Sequence, residues 1–187
     1  SSPLHATPPS DWSYRFGGPG MNTSYDVAVD ASGNVVIAGT FTGTMNLGGG
    51  PLASAGSWDI FLAKFDASGA HQWSRRFGGA GLDGAQAVTV DGAGNITITG
   101  YFRGPVSFGG TSLAGHTIQD IFVANFDGTG LHRWSHWYGG SGNDQGQDIV
   151  ADYRALGLTL GRHPLALLRR QLAKRKLVTA ADISRAP

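Results

Sequence analysis

The sequence predicts an all-β fold built from a repeated four-stranded unit and followed by a short α-helical C-terminal tail. The segment from Trp12 to Gln72 recurs in register from Trp73 to Arg133, with identity at 28 of 61 positions and no gap, and a third copy begins at Trp134. Each copy contains four runs rich in β-branched and aromatic residues. All 13 acidic residues are Asp and 30 residues are Gly, which favours turns over helices. A fixed period of this length is typical of repeat architectures.

The strands within each copy are predicted to pair as hairpins. The predicted strands are residues 26–29, 34–41, 59–65 and 71–77 in the first copy, and 87–90, 95–102, 120–126 and 132–138 in the second. Four connections have the pattern Asp-x-x-Gly and begin at Asp30, Asp66, Asp91 and Asp127. Such an Asp accepts bonds from nearby backbone amides, and the Gly supplies the positive φ of the turn. A calcium loop needs several carboxylates where each of these has one, so turns are favoured.

The third strands point to stacked sheets. Ile60, Leu62 and Phe65 alternate with the equally apolar Phe61 and Ala63, so both faces of this strand should be buried. A sheet between two other sheets meets this requirement. We therefore predict a partial β-propeller array over residues 11–152, with whole four-stranded antiparallel blades at about 25–77 and 86–138 and partial blades at both ends.

The repeat resembles the bacterial β-propeller repeat known as the SBBP family. The residues that carry the resemblance are Asp30-x-x-Gly33-Asn34-x-x-Ile37-x-Gly39 with Asp59-Ile60-Phe61, and Asp91-x-x-Gly94-Asn95-x-x-Ile98-x-Gly100 with Asp120-Ile121-Phe122. A Trp at the start of each period and the pairs Gly17-Gly18, Gly78-Gly79 and Gly139-Gly140 add to it. The resemblance implies a secreted or surface bacterial protein without an assigned catalytic function.

The two ends of the chain depart from the repeat. Residues 1–10 contain three Pro among small residues and are expected to form a disordered leader without a signal peptide or membrane span. Residues 12–16 are predicted to be the last strand of a preceding blade, and residues 147–152 to restart the first strand. The pattern stops at Tyr153.

The tail, residues 153–187, is predicted to be basic and helical. Residues 154–187 contain eight Lys or Arg and one Asp, a balance of +7, whereas residues 1–153 contain six and twelve, a balance of −6. Leu165, Leu168 and Leu172 lie on one helical face after Pro164. Residues 152–187, about 35 residues, resemble a segment of bacterial error-prone DNA polymerase III α-type subunits, and residues 152–165 and 178–182 carry the resemblance. None of that family's catalytic carboxylates can be placed here, so the resemblance does not imply polymerase activity.

No catalytic, cofactor-binding or metal-binding motif is present, and the chain has no Cys. His71 and His132 occupy equivalent repeat positions, which favours a structural role. The same argument favours packing between blades for Trp12, Trp73 and Trp134 over sugar stacking.

Aromatic and basic residues that differ between the copies are the better candidates for ligand contacts. They are Trp58, Arg103, His116, His136 and Trp137. The candidate nucleic-acid contacts are Arg169, Arg170, Lys174, Arg175 and Lys176 of the tail. A solvated helix face is the favoured alternative for the tail, because no base-contacting motif accompanies the charge.

The sequence favours a non-catalytic repeat scaffold or interaction module of a secreted or cell-surface protein. Its expected partners are proteins, including further copies of the chain, at exposed blade edges. A carbohydrate-binding or enzymatic propeller fragment and a DNA-binding or polymerase-related fragment remain open alternatives. The abrupt change at Asp152 and Tyr153 also raises the hypothesis of a recombined reading frame with a chimeric C-terminus.

Overall fold

The computed structural model describes residues 12–149, which form an all-β structure with ten strands and no helix. The predicted leader, the predicted helical tail and all five candidate nucleic-acid contacts lie outside the described residues. The strands are β1 (Asn22–Val29), β2 (Val35–Phe41), β3 (Thr44–Asn46), β4 (Pro51–Ala53), β5 (Asp59–Phe65), β6 (His71–Phe77), β7 (Gly84–Val90), β8 (Ile96–Arg103), β9 (Gln119–Phe126) and β10 (His132–Tyr138).

Eight of the strands form two antiparallel sheets with the same topology. Sheet 1 has the order β1-β2-β5-β6, and sheet 2 has the equivalent order β7-β8-β9-β10. A short hairpin of β3 and β4 lies in the long connection of sheet 1. Within residues 12–149 the two sheets do not close into a ring.

The Asp-x-x-Gly connections are hairpin turns, as predicted. In the first of them, Asp30 Oδ1 accepts bonds of 2.9 Å from the amides of Ser32 and Asn34, while Gly33 has a φ of 80°. Lys64 Nζ lies 3.1 Å from the other carboxylate oxygen. Burial raises the pKa of Asp30, but the bonds from Asn34 and Lys64 outweigh burial and hold it at about 2. The turn therefore keeps an ionised carboxylate at neutral pH.

Strand β5 is buried on both faces, as its sequence predicts. Ile60 and Leu62 belong to a cluster that also contains residues of sheet 2, which we call the shared core. Phe61, Ala63 and Phe65 belong to a second cluster on the opposite face of sheet 1, which we call the outer core. The shared core holds sheet 1 and sheet 2 together because it draws buried apolar side chains from both.

Strands β1 and β7 begin earlier than predicted, because each continues past a bulge. The register shifts between Ser24 and Asp26 in β1, and between Ala85 and Ala87 in β7. A bulge interrupts the side-chain alternation from which the strand was predicted. The β3–β4 hairpin is a further element that was not predicted.

The segment before sheet 1 packs against the outer core but does not form the predicted strand. Phe16 stacks on Phe65 of the outer core with a centroid distance of 4.9 Å, and Gly17 makes an isolated bridge to Asn46. Residues 12–16 have no strand partner within the described part of the chain. Residues 147–149, where a new first strand was predicted, are also not in a strand.

Candidate functional site

Each sheet is followed by a corner in which an Asp side chain bonds to the backbone. In the first corner Asp83 Oδ2 accepts the amide of Gly79 at 2.8 Å, and its own amide donates to the carbonyl of Trp58 at 2.9 Å. In the second corner Asp144 Oδ2 accepts the amide of Gly140 at 3.1 Å, and its amide donates to the carbonyl of Gln119 at 2.8 Å. The same bonds thus recur after one repeat.

The first corner contains a buried ion pair. The side chain of Asp59 is fully buried, and its Oδ2 accepts bonds of 2.7 Å from Arg76 Nη1 and from the amide of Ala55. Arg76 Nη1 also donates to the carbonyl of Gly78 at 3.1 Å. The second oxygen of Asp59, Oδ1, is buried and has no hydrogen-bond partner among the described residues. Arg76 is therefore the cation that compensates this buried carboxylate.

Asp83 is a second buried carboxylate in the same corner. Burial raises the pKa of Asp83 to about 6, although the amides of Gly79 and Arg103 donate to its oxygens. The negative charge of Asp59 adds to the rise. Burial also raises the pKa of Tyr101, with smaller effects of Tyr25 and Asp83. The corner thus holds two carboxylates beside one fixed cation.

The second corner has the same backbone but different side chains. His116 and Trp137 stand where the first corner has Ala55 and Arg76. His116 Nδ1 lies 2.9 Å from Oδ1 of the fully buried Asp120, and its amide donates to Oδ2 at 2.5 Å. Its ring meets Trp137 edge to face at a centroid distance of 5.2 Å. Here an imidazole, whose side chain is 47% exposed, replaces the guanidinium as the partner of the carboxylate.

The five candidate ligand contacts fall in three places. His116 and Trp137 come together in the second corner. Trp58 and Arg103 border the first corner, where each bonds to Asp83 through its backbone. His136 lies elsewhere, with its ring 5.7 Å from that of Trp134. The structure thus groups two of the five side chains and separates His136 from them.

Repeated aromatic and His residues pack within the scaffold. Trp73 lies against the shared core, and its Nε1 donates to the carbonyl of Gly128 at 3.2 Å. A Cβ added at Gly49 would meet the ring of His71, and one added at Gly110 would meet the ring of His132. These contacts support the structural roles predicted for Trp73 and for both His residues.

The corners are organised by carboxylates and their hydrogen-bond partners. Within residues 12–149, no three His or Asp side chains come together in a way that could hold a metal ion. The same part of the chain contains no helix of the length and hydropathy needed to cross a membrane. The polar atoms of the corners mainly bond to one another and to the backbone, which is suited to fixing the backbone of each corner.

Comparison with known proteins finds two kinds of similarity. An uncharacterized WD repeat-containing protein of Acanthamoeba polyphaga mimivirus is 29% identical over 137 residues, which cover 63% of this chain and 10% of that protein. An error-prone DNA polymerase of Alkalilimnicola ehrlichii is 68% identical over 40 residues, 21% of this chain and 4% of the polymerase. The corresponding enzyme of Dechloromonas aromatica is 63% identical over 82 residues, 40% of this chain and 8% of the polymerase. No protein-family model matches the chain.

These similarities are partial. The chain spans only 4% to 10% of the length of these relatives. The WD-repeat similarity is consistent with a β-repeat protein. The polymerase similarity was also predicted, but the match of 82 residues is longer than the predicted segment of about 35 residues.

The carboxylates that organise the corners were not predicted from the sequence as site residues. Asp59 and Asp120 were recognised only as parts of a repeat motif. Asp83 and Asp144 were not singled out, because the first copy has Asn22 at their position. The separation of Asp83 and Asp144 by one period of the repeat was the sequence signal that could have identified them.

Proposed function

We propose that the chain is part of a non-catalytic repeat scaffold, in which the two sheets are blades of a β-propeller and present surfaces for protein binding. The recurrence of the corner bonds of Asp83 at Asp144 carries this proposal, because it makes each sheet a template for the next. The WD-repeat similarity supports a repeat scaffold. The SBBP resemblance adds a secreted or surface location to the proposal.

Stacking between successive units also recurs. Phe77, in the last strand of sheet 1, stacks on Phe126 of sheet 2 with a centroid distance of 5.1 Å and an interplanar angle of 28°. One period earlier, Phe16 stacks on Phe65 at 4.9 Å and 29°. In a repeat array, interfaces between neighbours supply much of the stability. A binding surface can therefore be carried on such an array without a catalytic centre.

A double-mutant cycle across the sheets tests the stacking. Phe77→Leu, Phe126→Leu and the double variant of the full chain are compared by urea unfolding. We expect a coupling free energy of about 1 kcal/mol, because each substitution removes the same aromatic pair. Additive changes in the free energy of unfolding would contradict stacking between Phe77 and Phe126. The pair Phe77 and Phe41 serves as an uncoupled control, because these residues lie in different clusters.

A sugar-binding function is the second candidate, favoured by the contact of His116 with Trp137. The buried Asp120 orients His116, and the indole offers an apolar surface. Binding of the full chain to a glycan array that is lost in Trp137→Ala, but kept in Trp134→Phe, would support this function. The scaffold proposal expects no such binding.

A DNA-related function is the third candidate and rests on the identity of 68% over 40 residues with a polymerase. It is tested by fluorescence anisotropy with a short DNA duplex at two salt concentrations. Binding that weakens steeply with salt and disappears when Arg169, Arg170, Lys174, Arg175 and Lys176 are changed to Gln would support it. The scaffold proposal expects no salt-sensitive DNA binding.

A further inference from the structure

Equivalent positions in the two sheets differ sharply in exposure. Val88 on β7 is 4% exposed, whereas Val27, one period earlier on β1, is 56% exposed. Val29, which lies on the same face of β1 as Val27, is 62% exposed, and Tyr25 in the adjoining bulge is 48% exposed. We call these three residues the β1 face. Val27 and Val88 are the same residue type at equivalent places in the two strands, so the difference lies in what covers them.

The two cores differ in the number of buried residues that they contain. The shared core contains sixteen buried residues, and the outer core contains six. Eleven of the sixteen belong to sheet 2 or its loops, and five belong to sheet 1: Phe77 of β6, and Val36, Ala38, Ile60 and Leu62 of the two central strands. Among the described residues, the outer core has no counterpart of Val36, Ala38, Ile60 and Leu62. Consequently Ile37 and Leu52 are only partly buried, whereas the equivalent Ile98 and Leu113 are buried.

A polar contact of the bulge also distinguishes the two sheets. Asp26 Oδ2 of β1 accepts the amide of Val88 from the bulge of β7 at 2.8 Å. The equivalent amide of Val27 bonds to Oδ1 of its own neighbour Asp26, also at 2.8 Å. The bulge amide of sheet 1 therefore bonds to the side chain of its own neighbour, while the bulge amide of sheet 2 bonds to a carboxylate of sheet 1.

From these observations we infer that the β1 face and the outer core form a docking surface for one further sheet of this same repeat, which would complete a sheet with residues 12–16 as its last strand. This inference rests on the proposed function. The occupant presents small and aliphatic side chains on two adjacent central strands, as Val36, Ala38, Ile60 and Leu62 do toward sheet 2. The segment 12–16 already lies on the outer core through Phe16.

Residues 12–16 also indicate which strands the further sheet must contribute. Their equivalents in β6 pair with β5, with Ala63 opposite Ser74 and Ile60 opposite Phe77. The occupant therefore contributes counterparts of β1, β2 and β5. The β1 face alone, with three exposed side chains, is much smaller than the roughly 1,000 Å² that a specific interface buries in total, which argues for a whole sheet over a single docked strand.

The test adds the missing sheet to the full chain. A copy of residues 20–72 is inserted directly before Trp12, so that its last residue precedes Trp12 as Gln72 precedes Trp73. Hydrogen exchange of β1 is then followed by mass spectrometry. We expect the amides of β1 to exchange about tenfold more slowly than in the chain without the insert, approaching those of β7.

A matched control carries Ala38→Lys and Leu62→Lys in the inserted copy only. It should leave exchange in β1 unchanged, because charges replace the side chains that would face it. Equal exchange in both extended chains, or an insert that stays unstructured, would overturn the inference. So would a discrete oligomer of the chain without the insert that protects β1 and dissociates in Val27→Lys, because a second copy would then be the occupant.

The same measurement separates this inference from the proposed function. Strand β7 reports on the stacking of sheet 1 on sheet 2. Slow exchange in β7 together with unchanged exchange in β1 would reject only the docking surface. In the chain without the insert, exchange in β7 as fast as in β1 would reject the stacked scaffold itself.

Discussion

At the scale of single residues, Arg76 is the clearest test of the first corner. Arg76→Ala leaves the buried carboxylate of Asp59 without its cation. We expect a loss of about 2 kcal/mol in the free energy of unfolding, because a buried charged acceptor then lacks its partner. Arg15→Ala is the matched control, since Arg15 is exposed one period earlier and should change stability by less than about 0.5 kcal/mol. Equal losses in urea unfolding would contradict the ion pair's role.

Asp83 should make stability depend on pH. Its folded pKa of about 6 lies above the ordinary value of 3.8, so the folded state keeps a proton that the unfolded state has released. The free energy of unfolding should therefore fall by about 3 kcal/mol as the pH rises from about 4 to about 6. The Asp83→Asn variant, which matches Asn22, should lose this contribution.

The measurement is urea unfolding between pH 4 and pH 7, as the difference between the chain with Asp83 and its variant. Asp144→Asn is the control, because Asp144 holds the equivalent place in the half-buried second corner. It should preserve the pH dependence. A difference between the Asp83 chain and Asp83→Asn that stays constant with pH would show that Asp83 is ionised in the folded state throughout this range.

At the scale of elements, β1 and β7 offer one substitution in two environments. Val88→Asp places a charge in the shared core and should cost more than about 3 kcal/mol. Val27→Asp, at the equivalent position on the exposed β1 face, should cost less than about 1 kcal/mol. Thermal or urea unfolding of the two variants checks the difference. Similar losses would show that the β1 face is covered in solution.

The sequence was sufficient to predict elements whose signal is local. The strand β5 and the turn at Asp30 depend on hydrophobic pattern and on Asp-x-x-Gly chemistry, both of which repeat. The bulge before Asp26 was missed because it breaks the alternation that defines a strand.

The candidate site was less predictable, because it depends on neighbours that are distant in the chain. The variation of His116 and Trp137 between copies suggested a site, and the structure brings these two rings together. Their joint dependence on the buried Asp120 required the fold. His136 varies too, yet it lies beside Trp134, so variation between copies did not by itself identify neighbours.

At the scale of the whole molecule, the shared core connects the two sheets, whereas the outer core belongs to sheet 1 alone. The shared core contains residues of both sheets, whereas every member of the outer core precedes residue 66. A destabilising substitution in the shared core should therefore affect both sheets, whereas one in the outer core should affect sheet 1 alone. Native proteins open in cooperative units defined by such clusters of buried contacts.

Phe108 and Leu47 test this asymmetry, since they are equivalent residues, each 1% exposed, in the shared and the outer core. Both Phe108→Ala and Leu47→Ala should cost about 3 kcal/mol or more through the cavities they leave. Under native conditions, Phe108→Ala should speed hydrogen exchange in β5 as well as in β9, because Ile60 and Leu62 lose part of their core. Leu47→Ala should speed exchange in β5 but leave β9 unchanged. Faster exchange in β9 of the Leu47→Ala variant would mean that the sheets open together, and that the repeat behaves as one cooperative body instead of a stack of coupled units.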